Sequence, residues 1–145
     1  MPSLSRRRDP DAPQETWHVA YGDVRVGTIA IRSGNPADTD PWGWSCGFYP
    51  GSHPREHSSG TAPGFAQARA AFEAAWQVFF ANRTEADFDA YRKDRADTAW
   101  KYAMWDCGCK LPTQCANGQS RCFCGAAIDI NGTSRHIHAA HMEAG

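Results

Sequence analysis

The chain has 145 residues, 41% hydrophobic and 12% aromatic, enough apolar material for one core of ordinary size and too little for two. Lysine and arginine number 15 against 16 aspartates and glutamates, so the basic excess of a protein built for phosphate contacts is missing. No apolar run approaches the roughly 20 residues of a membrane helix, and MPSLSRRRDPDAPQE carries charge with no apolar stretch behind it. The expectation is a soluble, cytoplasmic protein with no membrane contact.

Residues 1–14 are rich in proline, arginine and aspartate and have no apolar period, which predicts a disordered tail with Arg6, Arg7 and Arg8 as a solvated run. From Thr16 the period becomes two. Trp17, Val19 and Tyr21 share a face, Gly22-Asp23 is a glycine-first hairpin turn, and VRVGTIAIR returns. The apolar face of that strand moves from Val24 and Val26 to Ile29 and Ile31 across Gly27, as a bulge at the glycine would require. WGWSCGFYP alternates again, with Trp42, Trp44, Cys46 and Phe48 on one side, and EHSSGT is a candidate fourth strand.

Pro63 then suits a first helical position, and Phe65, Ala68, Phe72, Ala75, Trp76 and Phe79 recur at spacings of three and four, predicting a helix that ends near Asn82. Thr84 and Asp87 resemble a capping box opening a second helix with Phe88, Tyr91, Ala99, Tyr102 and Trp105 on its apolar stripe. Asp89, Arg92, Lys93, Asp94, Asp97 and Lys101 form its solvated face, with i,i+4 ion pairs between Asp89 and Lys93 and between Asp97 and Lys101. This helix stops at Cys107-Gly108, and KLPTQCANGQS has turn residues without a period.

The words WGWSCGFYPGSHPREHSSGTAPGFAQARAAFEAAW and TEADFDAYRKDRADTAWKYAMWDCG resemble a family of short uncharacterised bacterial proteins. The resemblance covers residues 16 to about 108, with the CxCG and histidine tail after it, and it implies no activity. The order of strands followed by a helix is also similar in outline to small sheet-plus-helix nucleic-acid modules, an analogy of fold alone.

The densest chemistry lies in CFCGAAIDINGTSRHIHAAH, Cys122 to His141. Cys122 and Cys124 project to the same side if extended, and Gly125 permits a tight turn after the second. AAIDINGT offers a short strand and an Asn131-Gly132 turn, with Thr133 as cap of a helix that carries the histidines. The order resembles the two-cysteine, two-histidine zinc finger, although one residue separates the cysteines where that family has two to four. At about 100° per residue, His138 and His141 lie about 60° apart around a helix, whereas His136 and His141 lie about 140° apart. The expected zinc ligands are therefore Cys122, Cys124, His138 and His141, with His136 as substitute. Four protein ligands would close the site, making the zinc structural. Reduced thiols and a disulfide are the alternatives. Cys107, Cys109 and Cys115 bring the ligand supply to that of two sites, but CGCKLPTQC matches no site alone.

HPREH, His53 to His57, fits the pattern of an inverted zinc peptidase, with Glu56 as general base between metal-binding His53 and His57. That chemistry needs a helix, and Pro54 with the flanking Pro50-Gly51 and Ser58-Ser59-Gly60 favours a hairpin loop. Cys46 with His18 or His57 as base is a second enzymatic reading, set against a buried, inert thiol. The 6 tryptophans suggest a base-stacking platform or, more simply, core.

The sequence thus predicts an α+β protein: an antiparallel sheet of three or four strands packed against two helices, plus a small C-terminal zinc-binding module. The expected boundaries are a tail over 1–14, the α+β domain over 15–106, a linker over 107–121 and the zinc-finger-like module over 122–145. The functional expectation is a non-enzymatic accessory or regulatory protein that binds a macromolecule, protein rather than nucleic acid. Lys110, Arg121 and Arg135 balance Asp106, Asp129 and Glu143, so the C-terminal module lacks a basic face. A nucleic-acid binder using sheet and finger, and a metal-dependent hydrolase using His53, Glu56 and His57, are the alternatives.

Overall fold

Every stretch with a period of two forms a strand, and strands also form where the sequence shows no such period. The computed structural model describes residues 3–34 and 39–142. Part of the polar loop before Trp42 (35–38), and Glu143 with the end of the expected module, therefore lie outside the described residues. The chain divides into two compact units, Met1–Tyr91 and Arg92–Gly145.

In the first unit β1 (Leu4–Arg8), β2 (Thr16–Tyr21), β3 (Val24–Ile31), β4 (Trp42–Cys46) and β5 (Ser58–Ala62) form one antiparallel sheet in chain order. The sheet has five strands, not three or four. The addition is β1, inside the segment expected to be a disordered tail. Leu4 is its one residue that is not exposed, so it shows no alternation. It forms because β2 needs a ladder partner, and its arginines suit an edge. Arg6 stacks its guanidinium 5.3 Å from the Trp17 ring and 5.1 Å from that of Phe65, so it is not simply solvated.

The β2–β3 turn places Gly22 at φ 60, the left-handed conformation that a glycine-first turn demands. Val19 pairs with Gly27 while Ala20 pairs with Arg25, so Val26 is the extra residue of the expected bulge. A Cβ on Gly27 would lie 2.1 Å from the Ser45 carbonyl oxygen and 2.5 Å from the Phe72 ring, which makes glycine obligatory there. α1 (Phe65–Ala81) lays Ala68, Phe72, Trp76 and Phe79 on the sheet against Val19, Val24, Val26, Ile29, Cys46, Phe48 and Ala62. Its N-cap is Gly64, so Pro63 stands just outside the helix and not at its first position.

α2 (Glu85–Asp106) begins with the Thr84 N–H donating to the Asp87 carboxylate at 2.8 Å, one half of a capping box. Phe88 belongs to the core of the first unit, whereas Ala96, Trp100 and Met104 are buried in the second. The expected stripe through Ala99, Tyr102 and Trp105 is therefore wrong beyond Tyr91: Tyr102 is 68% and Trp105 80% exposed. The two halves of α2 serve two cores.

The second unit continues through a 3-10 turn (Pro112–Gln114), β6 (Gln119–Arg121), β7 (Ala127–Asp129) and α3 (Thr133–Ala140), with β6 and β7 antiparallel. Cys122, Ile128 and Ile137 close its core onto Trp100 and Met104. Part of the expected linker is thus structure: β6 is the first strand of the module, and the unit starts within α2. Among the described residues no helix is long and apolar enough to cross a membrane.

Candidate metal centre

The β6–β7 connection is built to aim two thiols at one point. The Cys122 N–H donates to the Ala126 carbonyl at 2.9 Å, and the Gly125 N–H to the Cys122 carbonyl at 2.8 Å. This tight turn places Gly125 at φ 95, where a side chain would be strained. Asp129, the last residue of β7, leads into α3: its carboxylate accepts the Gly132 N–H at 2.6 Å, and its carbonyl accepts the Thr133 hydroxyl at 2.6 Å. The N-cap is Gly132, one residue before the Thr133 expected from the sequence.

Cys122, Cys124, His136 and His141 converge, with ligand atoms all within 4.8 Å of one another, and they could hold a metal ion. Cys122 Sγ lies 3.3 Å from His141 Nε2, Cys124 Sγ lies 3.5 Å from His136 Nε2, and the two imidazole nitrogens are 3.2 Å apart. His138, preferred from the sequence, is elsewhere: its Nε2 lies 2.9 Å from an Asp97 carboxylate oxygen. His136, the substitute, takes its place. His141 departs from the helix-wheel position because it is not helical. α3 ends at Ala140, and His141 caps it at φ −127, ψ 11, which swings the side chain off the helical progression.

The surroundings are asymmetric. Cys122 is 3% exposed and accepts the Trp100 indole N–H at 3.3 Å, while Cys124 is exposed. Phe123 packs its ring against His141, tilted by 45° with centroids 4.8 Å apart. Burial, and then the charge of neighbouring His136, push the His141 pKa down, which favours the neutral imidazole a metal requires. The Trp100 contact could not be read from the sequence, because it joins residues 22 apart through an unexpected face of α2.

The remaining cysteines are free thiols. Among the described residues Cys107, Cys109 and Cys115 belong to no grouping of three or more metal-ligating side chains. Cys46 lies in the sheet core, and burial pushes its thiol up to about 11, as an inert thiol requires. His18, one suggested base for it, instead has Nε2 3.1 Å from Asp9, whose carboxyl is held below its usual range chiefly by that hydrogen bond.

HPREH lies in the β4–β5 loop as expected, with Pro54–Glu56 forming a 3-10 turn. Its three candidate side chains do not converge on an ion. His53 Nδ1 accepts the Arg55 N–H, Glu56 accepts the His53 N–H and pairs with Arg83, and His57 Nε2 lies 2.8 Å from Ser52 Oγ. Arg83 is the clamp of this region, 4% exposed: it donates to the Gly51 carbonyl at 2.7 Å and the Phe79 carbonyl at 3.3 Å, and its guanidinium stacks 4.6 Å from the Phe79 ring.

No protein-family model, curated protein or solved structure matches this chain.

Proposed function

We propose that the second unit is a zinc-stapled module and that the chain is a non-enzymatic accessory or regulatory protein acting through a protein partner. The distances among Cys122, Cys124, His136 and His141 carry the zinc reading. Zinc–sulfur bonds of about 2.3 Å and zinc–nitrogen bonds of about 2.05 Å at tetrahedral angles give edges of about 3.3 Å between nitrogens and about 3.6 Å from nitrogen to sulfur. Three of the six separations match, 3.2 Å between the nitrogens and 3.3 and 3.5 Å from nitrogen to sulfur, and all six lie within 4.8 Å. Two thiolates and two imidazoles suit zinc over the oxygen-seeking cations. Four protein ligands leave no position for a catalytic water, which supports a structural role. The indole N–H on Cys122 is the kind of outer hydrogen bond that tunes a metal thiolate.

Binding is supported by apolar surface on α2, where Tyr102 and Trp105 stand one turn apart, 68% and 80% exposed. Aromatic residues of this kind anchor protein interfaces. The balanced charge of residues 106–145 disfavours nucleic acid. The deciding measurement is elemental analysis of the purified chain beside Cys122→Ser/Cys124→Ser. One zinc per chain, lost in the variant, is the expected result, and a metal-free, folded wild type overturns the zinc reading. For the partner, a protein retained by the wild type and lost with Trp105→Ala supports the binding mode. Retention of nucleic acid with a steep salt dependence would replace it.

A further inference from the structure

We propose that Cys124 is an oxidation site, at which a hydroperoxide attacks the metal-bound thiolate and thereby opens the metal centre. This rests on the zinc reading above and adds a regulatory chemistry to it.

The two sulfurs are chemically alike and differ in their surroundings. Cys122 is 3% exposed, packs with Ile128 and Ile137, and accepts the Trp100 N–H at 3.3 Å. That hydrogen bond draws charge from the sulfur, and the packing blocks the approach of a reagent. His141, beside it, lies against the Phe123 ring. Cys124 is exposed, and its neighbour in the cluster is His136 at 3.5 Å. At the following residue, Gly125, nothing beyond its own chain neighbours lies within 4 Å of the place a Cβ would occupy, so the turn is open on that side. A metal-bound cysteine is a thiolate at neutral pH, the form that reacts with peroxides.

In the reaction the Cys124 sulfur attacks one peroxide oxygen, the O–O bond breaks, and hydroxide leaves. Cys124 thiolate and hydrogen peroxide thus become Cys124 sulfenic acid and hydroxide, the attacked oxygen keeping its own hydrogen. The sulfur loses two electrons and the peroxide is reduced by two. A sulfenic acid is a poor zinc ligand, so three ligands remain and the ion becomes exchangeable. Two equivalents of a small thiol restore the site: the first forms a mixed disulfide and releases water, and the second displaces Cys124 as thiol.

The test uses the full, zinc-loaded chain carrying Cys107→Ser, Cys109→Ala and Cys115→Ser, which leaves the buried Cys46 as the one thiol outside the cluster. Sub-stoichiometric hydrogen peroxide is added with a sulfenic-acid trap and a chromogenic zinc chelator, and the labelled cysteine is mapped by mass spectrometry. Labelling of Cys124 at least tenfold faster than Cys122, with one zinc released per Cys124 labelled, is expected. Equal labelling of Cys122, or zinc retained after Cys124 is labelled, overturns the proposal. If the chain holds no zinc before peroxide is added, the metal reading itself fails. A zinc-loaded chain whose Cys124 does not react overturns the oxidation site alone.

Discussion

Two histidines two residues apart have different tasks, and substitution separates them. His136 faces Cys124 and His141, whereas His138 faces Asp97. His136→Ala is expected to abolish stoichiometric zinc binding, because losing a ligand removes a large part of a binding free energy of about 10 kcal/mol or more. His138→Ala is expected to keep its zinc and lose about 1 kcal/mol of stability, the scale of one partly exposed polar contact. Zinc content and urea midpoints of the two variants decide it, and a zinc-free His138→Ala would contradict the ligand set. The cysteines of this site were legible from spacing; the histidine pair was not, because a helix-wheel angle holds only inside the helix and His141 caps it. Cys46 gives a pH prediction in the first unit. Its thiol is raised from the usual value near 9 to about 11 by burial. The folded form therefore keeps a proton that the unfolded chain releases between pH 9 and 11. Stability attributable to this thiol is intact below pH 9 and falls above it by about 1 kcal/mol per pH unit. The midpoint difference between wild type and Cys46→Ala should shrink across that window, while a difference independent of pH would show that the thiol ionises freely in the fold.

Elements were readable where one face meets one core. α1 follows its period because Ala68, Phe72, Trp76 and Phe79 all meet the same sheet. Legibility ends where an element has little buried side or serves two cores: β1 is an arginine-bearing edge held by backbone pairing, and α2 gives Phe88 to one core and Ala96 to another. The HPREH loop shows how such junctions are secured. Arg83, at the end of α1, ties Gly51 and Glu56 of the β4–β5 loop and lies 3.7 Å from Asp87 in the first turn of α2. A Cβ on Gly51 would stand 2.2 Å from the Asp87 carbonyl oxygen, so loop and helix are in close approach as well as polar contact. Arg83→Met keeps the apolar stem and leaves the half-buried Gly51 carbonyl without its donor. It is expected to cost about 2 kcal/mol, the half-exposed Glu56 recovering water and so limiting the loss. Arg83→Lys should recover less than half of this, since one ammonium cannot span the three acceptors of a planar fork. Urea unfolding followed by tryptophan fluorescence measures both, and a Lys variant equal to wild type would assign the effect to charge alone.

At the scale of the whole chain the two units differ in what holds them. The first buries a five-stranded sheet under α1, with an aromatic cluster of Tyr21, Phe48, Trp76, Phe79, Phe80 and Phe88. The second has two three-residue strands, one short helix and the last turns of α2 around Ala96, Trp100, Met104, Cys122, Ile128 and Ile137. So small a core does not offset the conformational entropy of ordering its chain without a staple such as a disulfide or a metal, and the proposed zinc would supply it. Chelation is therefore expected to unfold the second unit while the first keeps its near-ultraviolet dichroism. Trp100 would move from a buried contact to water and shift its emission to the red. The half of α2 beyond Tyr91, left without its packing, would fray, because an isolated helix of that length is marginal in water. In urea the zinc-loaded chain should then unfold in two steps. Only the step reported by Trp100 should depend on free zinc, gaining about 1.4 kcal/mol for each tenfold rise above the dissociation constant. A single transition, indifferent to chelator and to zinc, would show that the Cys122, Cys124, His136 and His141 cluster contributes nothing to holding the fold.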